Sequence, residues 1–193
     1  MITLIIVDCQ NDFISGTMAV KGAKQAVDNI KKFITANVSK ISKVIFTVDW
    51  HPFNHCSFKR NGGQWPVHCV QFTPGACIEP KLLKHVQSFN SFPYEVSTKG
   101  EIPEVERHGA FIDIDCRQDF LGSVYYMDSV VTMDAETEPV ICGIAGDYCV
   151  KETIKNLLEC SIVPKVLLNG VVSIDDGSKL KEFIATNNLT VIE

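Results

Sequence analysis

The stretch Pro139–Val150, PVICGIAGDYCV, runs directly into KETIKNLLEC and decides how the chain is interpreted. Its first half contains a short apolar run that predicts a buried strand. After Cys149, the apolar side chains recur on one face of a helix at Val150, Ile154, Leu157 and Leu158. Cys149 is therefore expected where a strand ends and a helix begins, with Asp147 as the N-cap. Unpaired N–H groups and the helix dipole favour a thiolate there, so Cys149 is a candidate nucleophile.

The rest of the chain alternates predicted strands with predicted helices. Ile2–Val7 and Lys43–Val48 are apolar runs typical of buried strands, and a helix that begins after Gly22 separates them. A strand, helix and strand in this order indicate a parallel sheet. Further predicted elements are strands at Glu95–Thr98, Val163–Leu168 and Leu189–Ile192, a helix at Lys179–Ala185, a short strand in GAFIDID and a helical turn in PEVER. The sequence predicts one α/β domain over 1–193, with about six strands and at least three helices.

Composition excludes several classes of function. The chain has 193 residues, a formal net charge of -5 and no basic run, so we expect neither nucleic acid nor an anionic membrane as a partner. The N-terminal apolar run is too short for a signal peptide or a membrane span, which favours a cytosolic protein. The 8 cysteines include no C-x-x-C pair, and we expect most of them to be small buried residues without disulfides. A homo-oligomer is compatible with the sequence.

Two predicted strands end in a carboxylate, and a third is followed by a lysine. Asp8 follows the first strand, Asp49 ends the second, and Lys99 follows the strand at Glu95–Thr98. In open α/β sheets, residues just past the carboxyl ends of strands line the ligand crevice. Asp8 could therefore be a general base for Cys149, with Lys99 stabilising the thiolate or a developing anion. The alternatives are a loop-capping aspartate and a solvated surface lysine.

Asp49-x-His51 precedes a long irregular stretch, 52–80, that is rich in histidine and aromatic residues. Loops of this length in a compact domain are usually functional or disordered, and this composition favours function. Asp49, His51 and His68 together match a mononuclear metal site, and His55 is a possible further ligand. The alternative is a hydrogen-bonded Asp–His pair that braces the loop. Zn, Fe and Mn are all compatible with these ligands, and no dinucleotide or ATP motif is present.

Five motifs in order resemble a known family: VDCQNDF, DWHPFNHCSF, WPVHCVQFTPGA, STKG and GIAGDYCVKET. Together they resemble the nicotinamidase/pyrazinamidase branch of the isochorismatase-like cysteine hydrolases, over 2–100 and 139–193. The resemblance implies a three-layer α/β/α Rossmann-like sandwich with a six-stranded, mainly parallel sheet. It also implies hydrolysis of nicotinamide to nicotinate and ammonia through a thioester, as in NAD salvage.

The resemblance also implies a role for each matching residue. Cys149, Asp8 and Lys99 match the catalytic triad, and Ile144–Ala145 matches a cis peptide bond. The N–H groups of Ala145 and Cys149 match the oxyanion hole. The matching metal ligands, for one divalent ion expected to be zinc, are Asp49, His51 and His68, with His55 a ligand in only some members. The matching substrate-binding residues are Phe13, Trp65, Ala145 and Tyr148.

The segment 101–138 departs from the family pattern, with ERHGAF at Glu106–Phe111 in place of the usual segment, and so does Gly146. This departure concerns one wall of the pocket and therefore the substrate. Alternative functions are an amidase for ureido or carbamoyl groups and a catalytically silent metal-binding protein on the same fold. Isochorismatase activity itself is disfavoured because it does not use the cysteine.

Overall fold

The computed structural model describes residues 1–111, the backbone of 115–118 and 124–125, and residues 136–193. The strands are β1 (Ile2–Val7), β2 (Ile41–Asp49), β3 (Tyr94–Lys99), β4 (Asp115–Gln118), β5 (Val124–Tyr125), β6 (Glu138–Ile144), β7 (Lys165–Val172) and β8 (Val191–Ile192). The helices are α1 (Asn11–Ile14), α2 (Ala23–Asn37), α3 (Pro80–Gln87), α4 (Lys151–Glu159) and α5 (Ser178–Thr186).

Six strands form one parallel sheet in the order β3-β2-β1-β6-β7-β8. The strand β1 lies inside the sheet, between β2 and β6, and its residues from Thr3 to Val7 are buried. Burial on both faces is the reason that its sequence is a continuous apolar run. The predicted six-stranded parallel sheet is confirmed. The strands β4 and β5 form a separate antiparallel pair.

Helices cover both faces of the sheet, as a three-layer sandwich requires. On one face, Leu4 and Ile6 share a core with Ile30 of α2 and with residues of α3. On the other face, Ile5 and Val7 share a second core with residues of α4 and α5. Alternate residues of β1 therefore enter opposite cores, because successive side chains of a strand point to opposite faces.

The structure also corrects several local predictions. The helices α1 and α3 were not predicted, although Glu79 accepts a hydrogen bond from Leu82 N–H at 2.7 Å and caps α3. The segment PEVER forms a turn closed by Val105 N–H and Ile102 O rather than a helical turn. In GAFIDID, residues 109–111 are not in a strand, 112–114 lie outside the described residues, and β4 begins at Asp115. Within the described residues, none of the helices combines the length and apolar character needed to cross a bilayer.

Candidate active site

The candidate site lies at the carboxyl ends of the central strands. Asp8 follows β1, Asp49 ends β2, Lys99 ends β3, and Cys149 lies just beyond β6. From β1 the chain adds β2 and β3 on one side and then β6, β7 and β8 on the other. The boundary between β1 and β6 is therefore a topological switch point, where open α/β sheets bind their ligands.

The three predicted catalytic side chains meet at this point and are all buried. Lys99 Nζ lies 2.8 Å from Asp8 Oδ2 and 3.7 Å from Cys149 Sγ. A carboxylate oxygen of Asp8 and the sulfur of Cys149 lie within 4.8 Å of each other. Thr47 Oγ1 donates to Asp8 Oδ1 at 2.9 Å, so the carboxylate is held from two sides.

The electrostatics of this group favour a protonated thiol. Burial raises the pKa of Cys149 well above its ordinary value, Lys99 opposes that shift, and Asp8 adds to it. Burial also raises the pKa of Asp8, although Lys99 acts in the opposite direction. The sequence-based expectation of a thiolate rested on the helix N-terminus alone, whereas burial acts against the thiolate. Because the thiol is the weaker nucleophile, Cys149 needs a base at the moment of attack.

The backbone that leads to Cys149 contains a cis peptide bond and a π-helical turn. The peptide bond between Ile144 and Ala145 is cis, which confirms that prediction. Cys149 lies in a π-helical turn, Gly146–Val150, that leads into α4, so it precedes the regular α-helix.

The predicted N-cap role of Asp147 is wrong, because its side chain turns away from the helix. The residue at the cap of the turn is Ala145. The carboxylate of Asp147 accepts hydrogen bonds from Ile174 N–H at 2.9 Å and Asp175 N–H at 3.1 Å. Asp147 therefore fixes the loop between β7 and α5 against the turn that carries Cys149.

Asp49, His51 and His68 form a cluster whose ligand atoms all lie within 4.8 Å of one another. Asp49 Oδ2 lies 3.6 Å from His51 Nε2 and 3.8 Å from His68 Nε2. Burial alone would raise the pKa of Asp49, but Lys99 and His51 lower it far below its ordinary value. The carboxylate is therefore charged and suited to a cation.

Backbone carbonyls orient both imidazoles of this cluster. His51 Nδ1 lies 2.9 Å from Gly100 O, and His68 Nδ1 lies 2.7 Å from Pro66 O. Because a carbonyl oxygen can only accept a hydrogen bond, the Nδ1 atom of each ring must carry a proton. The Nε2 atom of each ring is therefore the nitrogen left to bind a metal. One carboxylate and two imidazoles with their second nitrogens fixed are a donor set that fits a divalent metal once both rings are neutral.

His55 lies beside this cluster rather than within it. Its ring stacks on His51 with the centroids 4.1 Å apart. His55 Nδ1 lies 2.8 Å from Ser57 Oγ, and His55 Nε2 lies 3.1 Å from Val105 O. Burial lowers the pKa of His55 to about 4, so the ring is neutral. His55 could ligate a metal with His51 and Glu106, and its role as a further ligand of the Asp49 cluster stays a prediction.

One cavity joins the thiol to the candidate metal cluster. It contains Cys149 together with Asp49 and His68, and all four predicted substrate-binding residues line it: Phe13, Trp65, Ala145 and Tyr148. The ring centroids of Trp65 and Tyr148 are 5.1 Å apart, and those of Phe13 and His68 are 5.5 Å apart. A flat molecule in this cavity would lie between aromatic surfaces, with the thiol and the metal ligands within reach.

Comparison with known proteins identifies the family of the chain. Residues 3–89 match the isochorismatase domain family. The nicotinamidase of Escherichia coli (strain K12) is 33% identical to this chain, and the match covers 86% of this chain and 81% of that protein. The chain belongs to the nicotinamidase branch of the isochorismatase family. The resemblance found in the five sequence motifs is thereby confirmed.

Solved structures extend the match over the whole chain. The yeast nicotinamidase bound to the inhibitor nicotinaldehyde superposes with a TM-score of 0.78 at 26% identity and covers 100% of both chains. The pyrazinamidase of Pyrococcus horikoshii in complex with zinc gives a TM-score of 0.75 at 25% identity, covering 100% of this chain and 98% of that one. Both structures share the three-layer fold described above.

The sequence-based prediction of pocket residues missed part of the pocket. The cavity is also lined by Met18, Glu106, His108 and Ile174. The departure of ERHGAF from the family pattern was the available signal for Glu106 and His108. No local pattern marks Ile174, which reaches the pocket because Asp147 holds its backbone.

Proposed function

We propose that this protein is a metal-assisted cysteine amidohydrolase that converts nicotinamide and water to nicotinate and ammonia. The observation that carries the proposal is the cavity lined by Cys149, which contacts Lys99 and Asp8, and by Asp49 and His68 of the candidate metal cluster. Three relatives support the proposal: the nicotinamidase of Escherichia coli, the yeast nicotinamidase bound to nicotinaldehyde, and the pyrazinamidase of Pyrococcus horikoshii in complex with zinc.

The first half of the reaction makes a thioester. Asp8 takes the proton of the Cys149 thiol as the sulfur attacks the carboxamide carbon, and the carbonyl electrons move onto oxygen. The N–H groups of Ala145 and Cys149 are the proposed donors to that oxyanion. When the intermediate collapses, the C–N bond breaks, and Asp8 returns the proton so that ammonia leaves.

The second half releases the acid. Asp8 takes a proton from water, the water oxygen attacks the thioester carbon, and the C–S bond breaks to give nicotinate and the Cys149 sulfur, which regains its proton. Lys99 keeps the carboxylate of Asp8 in place throughout, through the contact of 2.8 Å. Phe13 and Trp65 hold the flat ring between them.

The Asp49 cluster would hold one divalent ion, and we propose zinc, with Fe and Mn as alternatives for the same ligands. When bound, such an ion supplies a Lewis acid that can hold a ring nitrogen. The two histidines would present their Nε2 atoms to the ion, because Gly100 O and Pro66 O hold their Nδ1 atoms. A ring held in this way would leave its carboxamide at Cys149.

Ammonia release from nicotinamide, pyrazinamide and a ureido compound, measured side by side on the purified protein, tests this proposal. We expect release from the first two and little from the third. The Cys149→Ala variant should stay folded, keep about one metal ion per chain and release no ammonia. Hydrolysis of the ureido compound alone would replace nicotinamidase by the carbamoyl amidase alternative. Metal content without hydrolysis of any amide would favour the silent metal-binding protein.

A further inference from the structure

The segment Glu106–Phe111 lies between the pocket and α4, and it is the part of the site that departs from the family pattern. Glu106 and His108 line the cavity. Phe111 is 1% exposed and packs into the core that also contains Cys149 and Val150. The segment therefore has one end in the pocket and the other end in the core beneath the nucleophile.

Two buried polar side chains of α4 receive the backbone of this segment. Thr153 and Asn156 are 0% and 9% exposed, on a helix face that is otherwise apolar. Buried polar groups of this kind are found with hydrogen-bond partners. Ala110 N–H donates to Thr153 Oγ1 at 3.3 Å, and Phe111 N–H donates to Asn156 Oδ1 at 3.4 Å. The helix that follows the nucleophile thus also fixes the far end of the segment.

Gly109 allows the segment to approach α4 this closely. A Cβ atom at Gly109 would lie 2.1 Å from Asn156 Oδ1 and 3.2 Å from the backbone oxygen of Glu152. A side chain at this position would either displace Asn156 Oδ1, the acceptor of Phe111 N–H, or push the segment away from the helix. The position of His108, the neighbouring residue, depends on this contact.

His108 ends a row of rings that forms one wall of the cavity. Its imidazole centroid lies 5.4 Å from the ring of Tyr148, which in turn lies 5.1 Å from the ring of Trp65. All three residues line the cavity with Cys149. The His108 side chain is 26% exposed, so it forms the rim of the pocket rather than part of the core.

We propose that His108 is a specificity-determining residue that limits the size of the ring the pocket accepts, and that Thr153 and Asn156 are positioning residues that hold it there. The proposal rests on the proposed function, because it concerns the choice among aromatic amides. It requires no direct role for these residues in bond breaking. Truncation of His108 should therefore change the preference between substrates more than the rate on the small substrate.

The test compares nicotinamide with quinoline-3-carboxamide. In both amides the ring nitrogen has the same position relative to the carboxamide, and the second amide has a benzene ring fused to the pyridine ring. The readout is the ratio of the two kcat/KM values. We expect the wild type to prefer nicotinamide strongly. His108→Ala should shift the ratio towards the bicyclic amide by about tenfold or more, because even one methylene in a pocket changes discrimination about 10–200-fold.

Asn156→Leu should shift the ratio in the same direction, because it removes the acceptor of Phe111 N–H and so releases the segment Glu106–Phe111 from α4. The matched control is His85→Ala on α3, where the imidazole bonds Thr35 and the Lys31 carbonyl, and its ratio should equal that of the wild type. If Asn156→Leu does not fold, the near-isosteric Thr153→Val takes its place.

A wild type that cleaves nicotinamide, together with a His108→Ala variant of unchanged ratio, overturns the role of His108. A shift in His108→Ala without one in Asn156→Leu or Thr153→Val overturns the positioning role of α4. A wild type that cleaves no nicotinamide contradicts the proposed function instead, so the two failures are distinguishable.

Discussion

Lys99 contacts Asp8 and Asp49 at once, with Nζ 2.8 Å from Asp8 Oδ2 and in direct contact with Asp49 Oδ1. One buried cation therefore joins the carboxylate that we propose as the base to the carboxylate that we propose as a metal ligand. Burial alone would lower the pKa of Lys99, but the two carboxylates raise it well above its ordinary value. The ammonium is therefore charged at neutral pH.

Replacement of Lys99 should therefore damage stability as well as activity. Lys99→Met leaves two buried carboxylates without their cation, and breaking a buried ion pair typically costs about 3–5 kcal/mol. Urea unfolding of chelator-treated protein should show a loss of this size. Lys99→Arg is the control, because it keeps the charge and should lose much less stability. Equal unfolding free energies for Lys99→Met and the wild type would contradict the bridging role.

Asp8→Asn should reduce turnover of nicotinamide without unfolding the protein. General-base catalysis typically contributes about 10²–10⁴-fold in rate, and the amide cannot accept the Cys149 proton. The measurement is kcat for ammonia release, with metal content and thermal unfolding as checks that the site is intact. Near wild-type turnover in Asp8→Asn would require another base, and His55 is the first to test.

Much of this site could be predicted from sequence, because several of its residues lie at the ends of strands and the strands themselves can be recognised from local patterns. The apolar runs before Asp8 and Asp49 predicted both strands, and the acids that follow lie in the crevice as expected. The role of Asp147 could not be predicted, because its partners at Ile174 and Asp175 are remote in sequence. The hydrogen bond from Phe111 N–H to Asn156 Oδ1 could not be predicted either, because these two residues are also remote in sequence. Local patterns specify strands and helices, whereas these contacts depend on how the layers pack.

Alkylation with iodoacetamide should label Cys77 before Cys149. Cys77 is exposed, whereas Cys149 is buried and its burial raises the pKa of the thiol. Since only the thiolate reacts, labelling of Cys149 should increase as the pH rises and be least at low pH. Peptide mass spectrometry after short exposures gives the order of labelling. Labelling of Cys149 ahead of Cys77 at neutral pH would show that the free enzyme holds a thiolate there.

Gly100 is needed because His51 packs directly against it. Gly100 has a φ of 70°, and a Cβ there would lie 2.4 Å from His51 Cε1 and 2.6 Å from Nδ1. Gly100→Ala should therefore displace His51 and lower the metal content per chain. Gly62→Ala is the matched control, because Gly62 has a φ of 91° and a Cβ added there would meet nothing within 4 Å. Both variants carry the cost of a left-handed backbone, and only the first should lose metal.

The ring nitrogen of the substrate should matter more than the ring itself. Phe13 and Trp65 offer apolar surfaces that any flat ring can use, whereas a metal ion held by the Asp49 cluster would bind only a ring that carries a donor atom. Pyrazinamide keeps a nitrogen at the same position and should be cleaved like nicotinamide, whereas benzamide lacks it. Loss of that partner should cost roughly 2–4 kcal/mol, which is about 30- to 900-fold in kcat/KM. Steady-state ammonia release from the three amides measures this ratio, and comparable rates on benzamide and nicotinamide would rule out recognition of the ring nitrogen at the metal.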